Sequence, residues 1–230
     1  MLDRLELLIG KDNIELLETK KVLVLGLGGV GGYVVESLVR SGIGSLVLVD
    51  YDTITESNLN RQIIATRTNM GQLKTDAFEK RILDINPKCK IEKLSKRITP
   101  DHFYELLSYQ PDFIVDACDT ISVKQECIKA CIQNKIPFLS CMGTGNKMDP
   151  SKLKILDLKK TEGDPIAKKL RKYVKDERIN GKIPVICSTE LPRRKGKVIA
   201  SNAFVPPTAG LLAGNYVVRY LIGDYNEKER

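Results

Sequence analysis

The chain has 230 residues, of which 42% are hydrophobic and 29% charged, a balance that excludes a disordered tail and a collagen-like fibre. No apolar run approaches the roughly 20 residues a membrane helix needs, and the charged amphipathic stretch after Met1 does not read as a secretory signal. His102 is the single histidine, which excludes a Ser-His-Asp triad or any mechanism built on a histidine pair.

Residues 2–17 have helical periodicity (Leu5, Leu8, Ile9, then Ile14 and Leu17), interrupted at Gly10. Val22-Leu23-Val24-Leu25 is a continuous apolar run between lysines and glycines, the pattern of a strand buried on both faces of a parallel sheet. Residues 30–39 follow as a helix closed by Ser41-Gly42, and Leu46-Val47-Leu48-Val49 is a second buried strand ending at Asp50. Residues 75–85 are helical up to Asn86-Pro87, and a third strand lies near Ile91. Thr99-Pro100-Asp101 starts a helix, with a capping residue before a first-position proline. Phe113-Ile114-Val115 is a fourth strand ending at Asp116; residues 123–133 form a helix and 137–141 a fifth strand. This alternation predicts an α/β fold with a doubly wound parallel sheet.

In the last third, residues 153–158 read as an extra strand, 165–177 as a basic helix and 183–186 as another strand. Residues 190–196 read as a polar, basic, flexible loop, 207–222 as a long apolar helix that must be buried, and 224–230 as a frayed charged tail. No internal repeat, low-complexity tract or linker interrupts the chain. Cys89, Cys118, Cys127, Cys131, Cys141 and Cys187 include no Cys-x-x-Cys pair and read as reduced thiols of a cytosolic protein. His102 reads as a first-turn surface residue, and Cys127 and Cys131 as core.

The net charge is +8, yet its distribution is uneven: residues 147–197 hold 16 lysines and arginines against 7 acidic residues, a net of +9, and the rest of the chain is at −1. A clustered positive field attracts phosphates where a dispersed one does not. Charge alone leaves two readings open, a polyanion footprint and a solvated charged face.

Gly26-Leu27-Gly28-Gly29-Val30-Gly31 forms G-x-G-x-x-G directly between a strand and a helix. Gly26, Gly28, Gly29 and Gly31 allow a tight turn and a close approach of backbone N–H groups to phosphate at a helix N-terminus. Asp50, ending the second strand, stands where an acidic residue grips ribose hydroxyls. The dense polar run from Asp50 through Asp52, Ser57 and Asn58 to Arg61 and Gln62 does not suit hydride transfer. It suits a triphosphate, with Arg61 forking onto phosphate oxygens beside Asn58 and Lys74 adding a point charge. Asp116-Ala117-Cys118-Asp119-Thr120 ends the fourth strand, where open α/β sheets bind ligands and where a carboxylate facing a triphosphate is a good Mg²⁺ ligand.

On these motifs, together with Ile85-Asn86-Pro87, the first 150 residues resemble the ThiF/MoeB/HesA superfamily, relatives of ubiquitin-activating enzymes. The resemblance implies a Rossmann-like sheet, ATP binding and adenylation of a carboxylate with release of pyrophosphate. It implies phosphates beside Gly29, ribose on Asp50, triphosphate on Asn58, Arg61 and Lys74, and magnesium on Asp119, next to Thr120. It also implies a homodimer in which an N-terminal arginine, here Arg4, reaches the partner's ATP. The second half resembles the tRNA threonylcarbamoyladenosine dehydratase branch (TcdA/CsdL), through Gly143-Thr144-Gly145-Asn146-Lys147-Met148-Asp149-Pro150, Asp157-Leu158, Thr161, Asp164-Pro165, Lys168-Lys169-Leu170-Arg171 and Ser188-Thr189-Glu190. That branch implies a tRNA substrate whose threonyl carboxylate is activated by ATP and closed into a ring, a net dehydration. It also implies sulfur-transfer or redox proteins as further partners, no membrane, and a cytoplasmic setting. Zinc is not expected, because the paired Cys-x-x-Cys motifs of sulfur-carrier-loading members are absent. Cys187 reads as a half-buried strand residue, and ring closure needs no enzyme thioester.

The expected organisation is one adenylating domain over 1–230: an N-terminal helical segment (1–20), a nucleotide-binding core (21–142), and a basic extension with the final helix (143–222) returning to the same domain. Lys168, Lys169, Arg171 and Lys172 on the basic helix, and Arg193, Arg194, Lys195 and Lys197 after it, are the candidate tRNA contacts. The alternatives are an adenylyltransferase for a ubiquitin-like sulfur carrier, a nicotinamide-dependent oxidoreductase resting on the glycine loop alone, and a non-catalytic nucleotide-binding scaffold.

Overall fold

A computed structural model describes residues 1–194, 196 and 198–225. Two short helices, α1 (Asp3–Ile9) and α2 (Lys11–Glu18), meet at Gly10. Then come β1 (Lys21–Leu25), α3 (Gly31–Arg40), β2 (Ser45–Val49), α4 (Lys74–Ile85), β3 (Lys90–Leu94), β4 (Phe113–Asp116), α5 (Ile121–Asn134) and β5 (Phe138–Cys141). The last part adds β6 (Leu153–Asp157), α6 (Pro165–Asp176), β7 (Pro184–Ser188) and α7 (Val205–Leu221). The tail expected at 224–230 lies outside the described residues beyond Tyr225.

All seven strands form one sheet in the order β3-β2-β1-β4-β5-β7-β6. Every neighbouring pair is parallel except the last: Val24 lies between Leu48 and Val115, Ser140 meets Val185, and β6 runs antiparallel with Ile155 opposite Ile186. The all-apolar cores of β1 and β2 are explained by this burial, since helices cover both faces. Side chains of α3, α4 and α7 pack on one face and those of α5 and α6 on the other. α7 can lie against α3 because Gly210 has no side chain: a Cβ there would sit 2.3 Å from the Val30 carbonyl oxygen.

The helix starting at Thr99 differs from an α-helix. Residues Pro100–Tyr109 form a 3₁₀ helix, ten residues long where three or four is usual. Three residues per turn place Phe103 and Leu106 on one line, and both are fully buried beneath the sheet. α6 is amphipathic, with Ala167, Leu170 and Val174 buried at spacings of three and four and lysines over the remainder.

Candidate active site

The strand order reverses between β1, which leads towards β2 and β3, and β4, which leads towards β5. Parallel sheets leave a crevice at the carboxyl ends of such strands. Here it is a cleft of about 340 Å³, within the size range of small-molecule sites. Its floor is the glycine loop after β1, its walls Asp50 after β2 and residues 117–120 after β4.

Gly26, Gly28 and Gly29 line the cleft, whereas Gly31 does not. A Cβ on Gly31 would lie 1.8 Å from the Gly26 carbonyl oxygen, so this glycine closes the turn and α3 against each other. The loop is tied to β2 by Asp50, whose carboxylate accepts the N–H groups of Leu27 at 2.7 Å and Asp52 at 2.8 Å. Lys74, at the first position of α4 and 4% exposed, sends its ammonium to Asp52 at 2.8 Å and lies 3.6 Å from Asp50. The Arg61 stem lies over Gly29, and its Nη1 donates to the Ser57 carbonyl at 2.7 Å and to Asn60 Oδ1 at 3.0 Å. Its Nε and Nη2 have no partner among the described residues. Asn58 lines the cleft while its Oδ1 accepts from the Thr55 N–H. Ser57 contributes a hydroxyl to that turn and is not a lining residue.

Beside them, Gln62 Oε1 is a buried acceptor without a donor among the described residues. Bare glycine backbone, an unmatched acceptor and the cations Arg61, Lys74, Lys96 and Arg97 fit an anionic, amine-bearing ligand such as ATP. Asp119 and Thr120 also line the cleft; Asp119 is exposed and, among the described residues, bonds only the Thr120 hydroxyl, at 3.5 Å.

The two carboxylates of the Asp116–Asp119 motif part company. Asp116 is fully buried against Lys124, whose ammonium lies 3.0 and 3.1 Å from its oxygens and 2.7 Å from the Cys141 carbonyl. Ser140 donates to the same carboxylate at 2.5 Å, and the Cys118 N–H at 3.3 Å. This buried cluster anchors the turn that presents Asp119 and ties β4 to β5. Burial and the Asp116 charge push the Cys118 thiol well above its ordinary range, and burial pushes Cys187 up to about 11. Neither is an available thiolate near neutral pH. Cys127 and Cys131 sit in the core, their sulfurs 4.0 Å apart, and the exposed His102 bonds the Thr99 hydroxyl through Nδ1 at 2.7 Å.

Arg4 lies exposed on α1 and does not line the cleft of its own chain. Lys168 and Lys169 are exposed, Lys172 pairs with Asp176 at 2.6 Å, and Arg171 is tied to the Thr161 carbonyl at 2.7 Å. Arg193 pairs with Glu190 at 2.8 Å. Arg194 is exposed; Lys195 and Lys197 lie outside the described residues.

Sequence reasoning missed Tyr51, Lys96, Arg97, Ile98, Thr144, Ser201 and Pro206, all lining the cleft. Arg97 stands 5.7 Å over the Tyr51 ring, and Lys96 pairs with Glu105. Their signal was present: two cations just past a strand end belong to the side where such sheets bind ligands.

A comparison with protein families matches the ThiF family over residues 2–227, and the chain belongs to that family. The tRNA threonylcarbamoyladenosine dehydratase of Bacillus subtilis (strain 168) is 40% identical over 98% of this chain and 96% of its own length. Solved structures of E. coli tRNA N6-threonylcarbamoyladenosine dehydratase, TcdA, in complex with ATP and with AMP, are similar at a TM-score of 0.90 and 32% identity, covering 95% of this chain and 92% of theirs. The sulfur carrier protein ThiS adenylyltransferase of Escherichia coli (strain K12) is 30% identical over 60% of this chain and 54% of its own.

Proposed function

We propose that this protein uses ATP to activate the threonyl carboxylate of threonylcarbamoyladenosine in tRNA and closes it into a ring, with net loss of water. The observation that carries the reading is the cleft itself. Glycine-loop amides, Arg61 and Lys74 surround one space, with Asp119 at its rim. The near full-length likeness to tRNA threonylcarbamoyladenosine dehydratases supports the substrate.

In this reading the loop amides, Arg61 and Lys74 neutralise the triphosphate, so an entering carboxylate is not repelled. The carboxylate oxygen attacks the α-phosphorus, and the bond to pyrophosphate breaks. The same donors stabilise the charge moving onto pyrophosphate without reorganising. A nucleophile already on the substrate then attacks the carboxyl carbon of the mixed anhydride at high effective concentration, loses its proton, and AMP leaves. Asp50 keeps the loop amides in place, and Lys74, held by Asp52, is positioned before substrate arrives.

Magnesium is part of the proposal. Among the described residues no group of three His, Cys, Asp or Glu side chains forms a cage. A lone exposed carboxylate such as Asp119 suits Mg²⁺, which takes most of its ligands from phosphate and water; it would supply charge neutralisation there. A homodimer, with Arg4 entering the partner's cleft, and a cytoplasmic setting complete the reading. In support, α1 leaves Leu7 and Leu8 more than 80% exposed beside Arg4.

Pyrophosphate exchange tests the reading. Exchange stimulated by tRNA bearing threonylcarbamoyladenosine is expected. Exchange stimulated by a ubiquitin-like sulfur carrier and not by that tRNA would overturn it, and a thermal shift with NAD alone would remove the ATP site.

A further inference from the structure

Away from the cleft, a second cavity of about 490 Å³ opens between α6 and the turn after β6. Lys159, Arg171, Lys175, Arg178 and Asn180 line it, and no carboxylate does. Asp157 accepts the N–H groups of Lys159 and Ile183 at 2.8 and 3.2 Å, and Asp176 pairs with Lys172, while the exposed Glu177 stands next to Arg178 in the chain. Arg171 is anchored on Thr161. Lys159, Lys175 and Arg178 are exposed and make no ion pair among the described residues. Such unpaired cations repel one another and gain most from an added polyanion.

The groove lies at the C-terminal end of α6, opposite the end that meets the loop bordering the cleft. Lys168, Arg171 and Lys175 are spaced three and four apart, one stripe along α6, and Arg178 follows two residues past its end. The other end of α6 is capped by Asp164, whose carboxylate meets Lys147 at 3.2 Å. Lys147 in turn donates to the Gly143 carbonyl at 2.8 Å, in the loop whose Thr144 lines the cleft. The stripe therefore starts one turn past that cap and runs about 10 Å along α6, from Lys168 to Lys175, at about 1.5 Å per residue.

We propose that this groove and the stripe leading to it hold the sugar-phosphate backbone of the RNA stem that carries the reacting nucleotide. The proposal rests on the reading that a tRNA nucleotide enters the cleft. The tRNA of that reading is a polyanion far larger than the cleft, so its backbone must run over the neighbouring surface, where these cations attract it. Arg171 keeps its structural role, while Lys159, Lys175 and Arg178 make the phosphate contacts.

The test is a filter-binding salt series with tRNA bearing threonylcarbamoyladenosine, on the wild type and on a Lys159→Ser, Lys175→Ser, Arg178→Ser variant. Turnover is measured alongside on that tRNA and on a short modified oligonucleotide lacking the stem. Each contact contributes about 0.7 to 0.9 to the log–log slope. Three lost contacts flatten the slope by about 2 to 3. A threefold rise in salt then costs the wild type roughly ten- to twentyfold more affinity than the variant. Turnover of the short oligonucleotide and ATP affinity stay unchanged. An unaltered slope and affinity for tRNA, or equal losses on the short oligonucleotide, would overturn the proposal. The two claims separate cleanly: water loss from tRNA with an unaltered slope removes the groove alone, whereas lost binding in the variant without any water loss by the wild type removes the reaction alone.

Discussion

Lys124→Met isolates the buried pair beneath the turn that presents Asp119. Lys124 is 1% and Asp116 0% exposed, and methionine keeps most of the stem while removing the charge. The Asp116 carboxylate then keeps the Ser140 hydroxyl at 2.5 Å and the Cys118 N–H at 3.3 Å, with no cation. Breaking one side of a buried pair costs about 3–5 kcal/mol. At about 2–4 °C per kcal/mol for a domain of this size, the melting temperature falls by about 6–20 °C. Burial alone would lower the Lys124 pKa, but the Asp116 charge outweighs it and the net direction is upward. A lysine raised on folding contributes its stability fully below its unfolded pKa of about 10.4 and loses it only above. The wild-type pair therefore keeps its lysine charged throughout pH 6 to 9. The Asp116→Asn, Lys124→Met double variant buries no charge and regains at least half of the loss. Thermal melts of the three proteins decide the matter. A single variant within 2 °C of wild type, or a double variant no better than the single, would refute the reasoning.

Asp119→Ala abolishes pyrophosphate exchange with a melting temperature unchanged, because its one contact is a 3.5 Å approach to Thr120; mixing it with Arg4→Ala protomers restores part of the activity if Arg4 acts across a dimer. Gly28→Ala meets its nearest atom at 3.8 Å, so it folds normally and loses at least tenfold in ATP affinity by isothermal titration. Gly31→Ala meets the Gly26 oxygen at 1.8 Å and loses about 3 kcal/mol of stability in denaturant melts. Burial works against ionised Glu36, yet hydrogen bonds and charge from Arg81 and Arg40 outweigh it and hold its pKa below the ordinary value. Its contribution is present above the unfolded pKa of about 4.3 and is lost as pH falls through the folded value. Glu36→Gln is therefore less stable than wild type at pH 7, and thermal melts converge as the pH falls below about 4.

Local signals were the legible ones. The buried strands, the glycine turn, and Asp50, Arg61 and Lys74 follow from residues close in sequence whose chemistry needs that order. Long-range convergence was not legible. Thr144, Ser201 and Pro206 reach the cleft from loops far from the glycine motif in sequence, and no short-range pattern predicts where a crossover places them. Polar residues in the motifs also divide their labour in ways that only packing reveals. Ser57 stabilises a turn, Gly31 permits a close approach, and Arg171, which reads as a surface cation, is spent on the Thr161 carbonyl. The 3₁₀ form of Pro100–Tyr109 is likewise a tertiary choice, made by the burial of Phe103 and Leu106 on one line.

Mass spectrometry of nucleosides from tRNA bearing threonylcarbamoyladenosine, incubated with the protein, ATP and magnesium, tests the central claim most directly. The account predicts a nucleoside lighter by one water, formed only with ATP and accompanied by AMP and pyrophosphate. An unchanged nucleoside mass, under conditions where the protein binds both ATP and the tRNA, would contradict it.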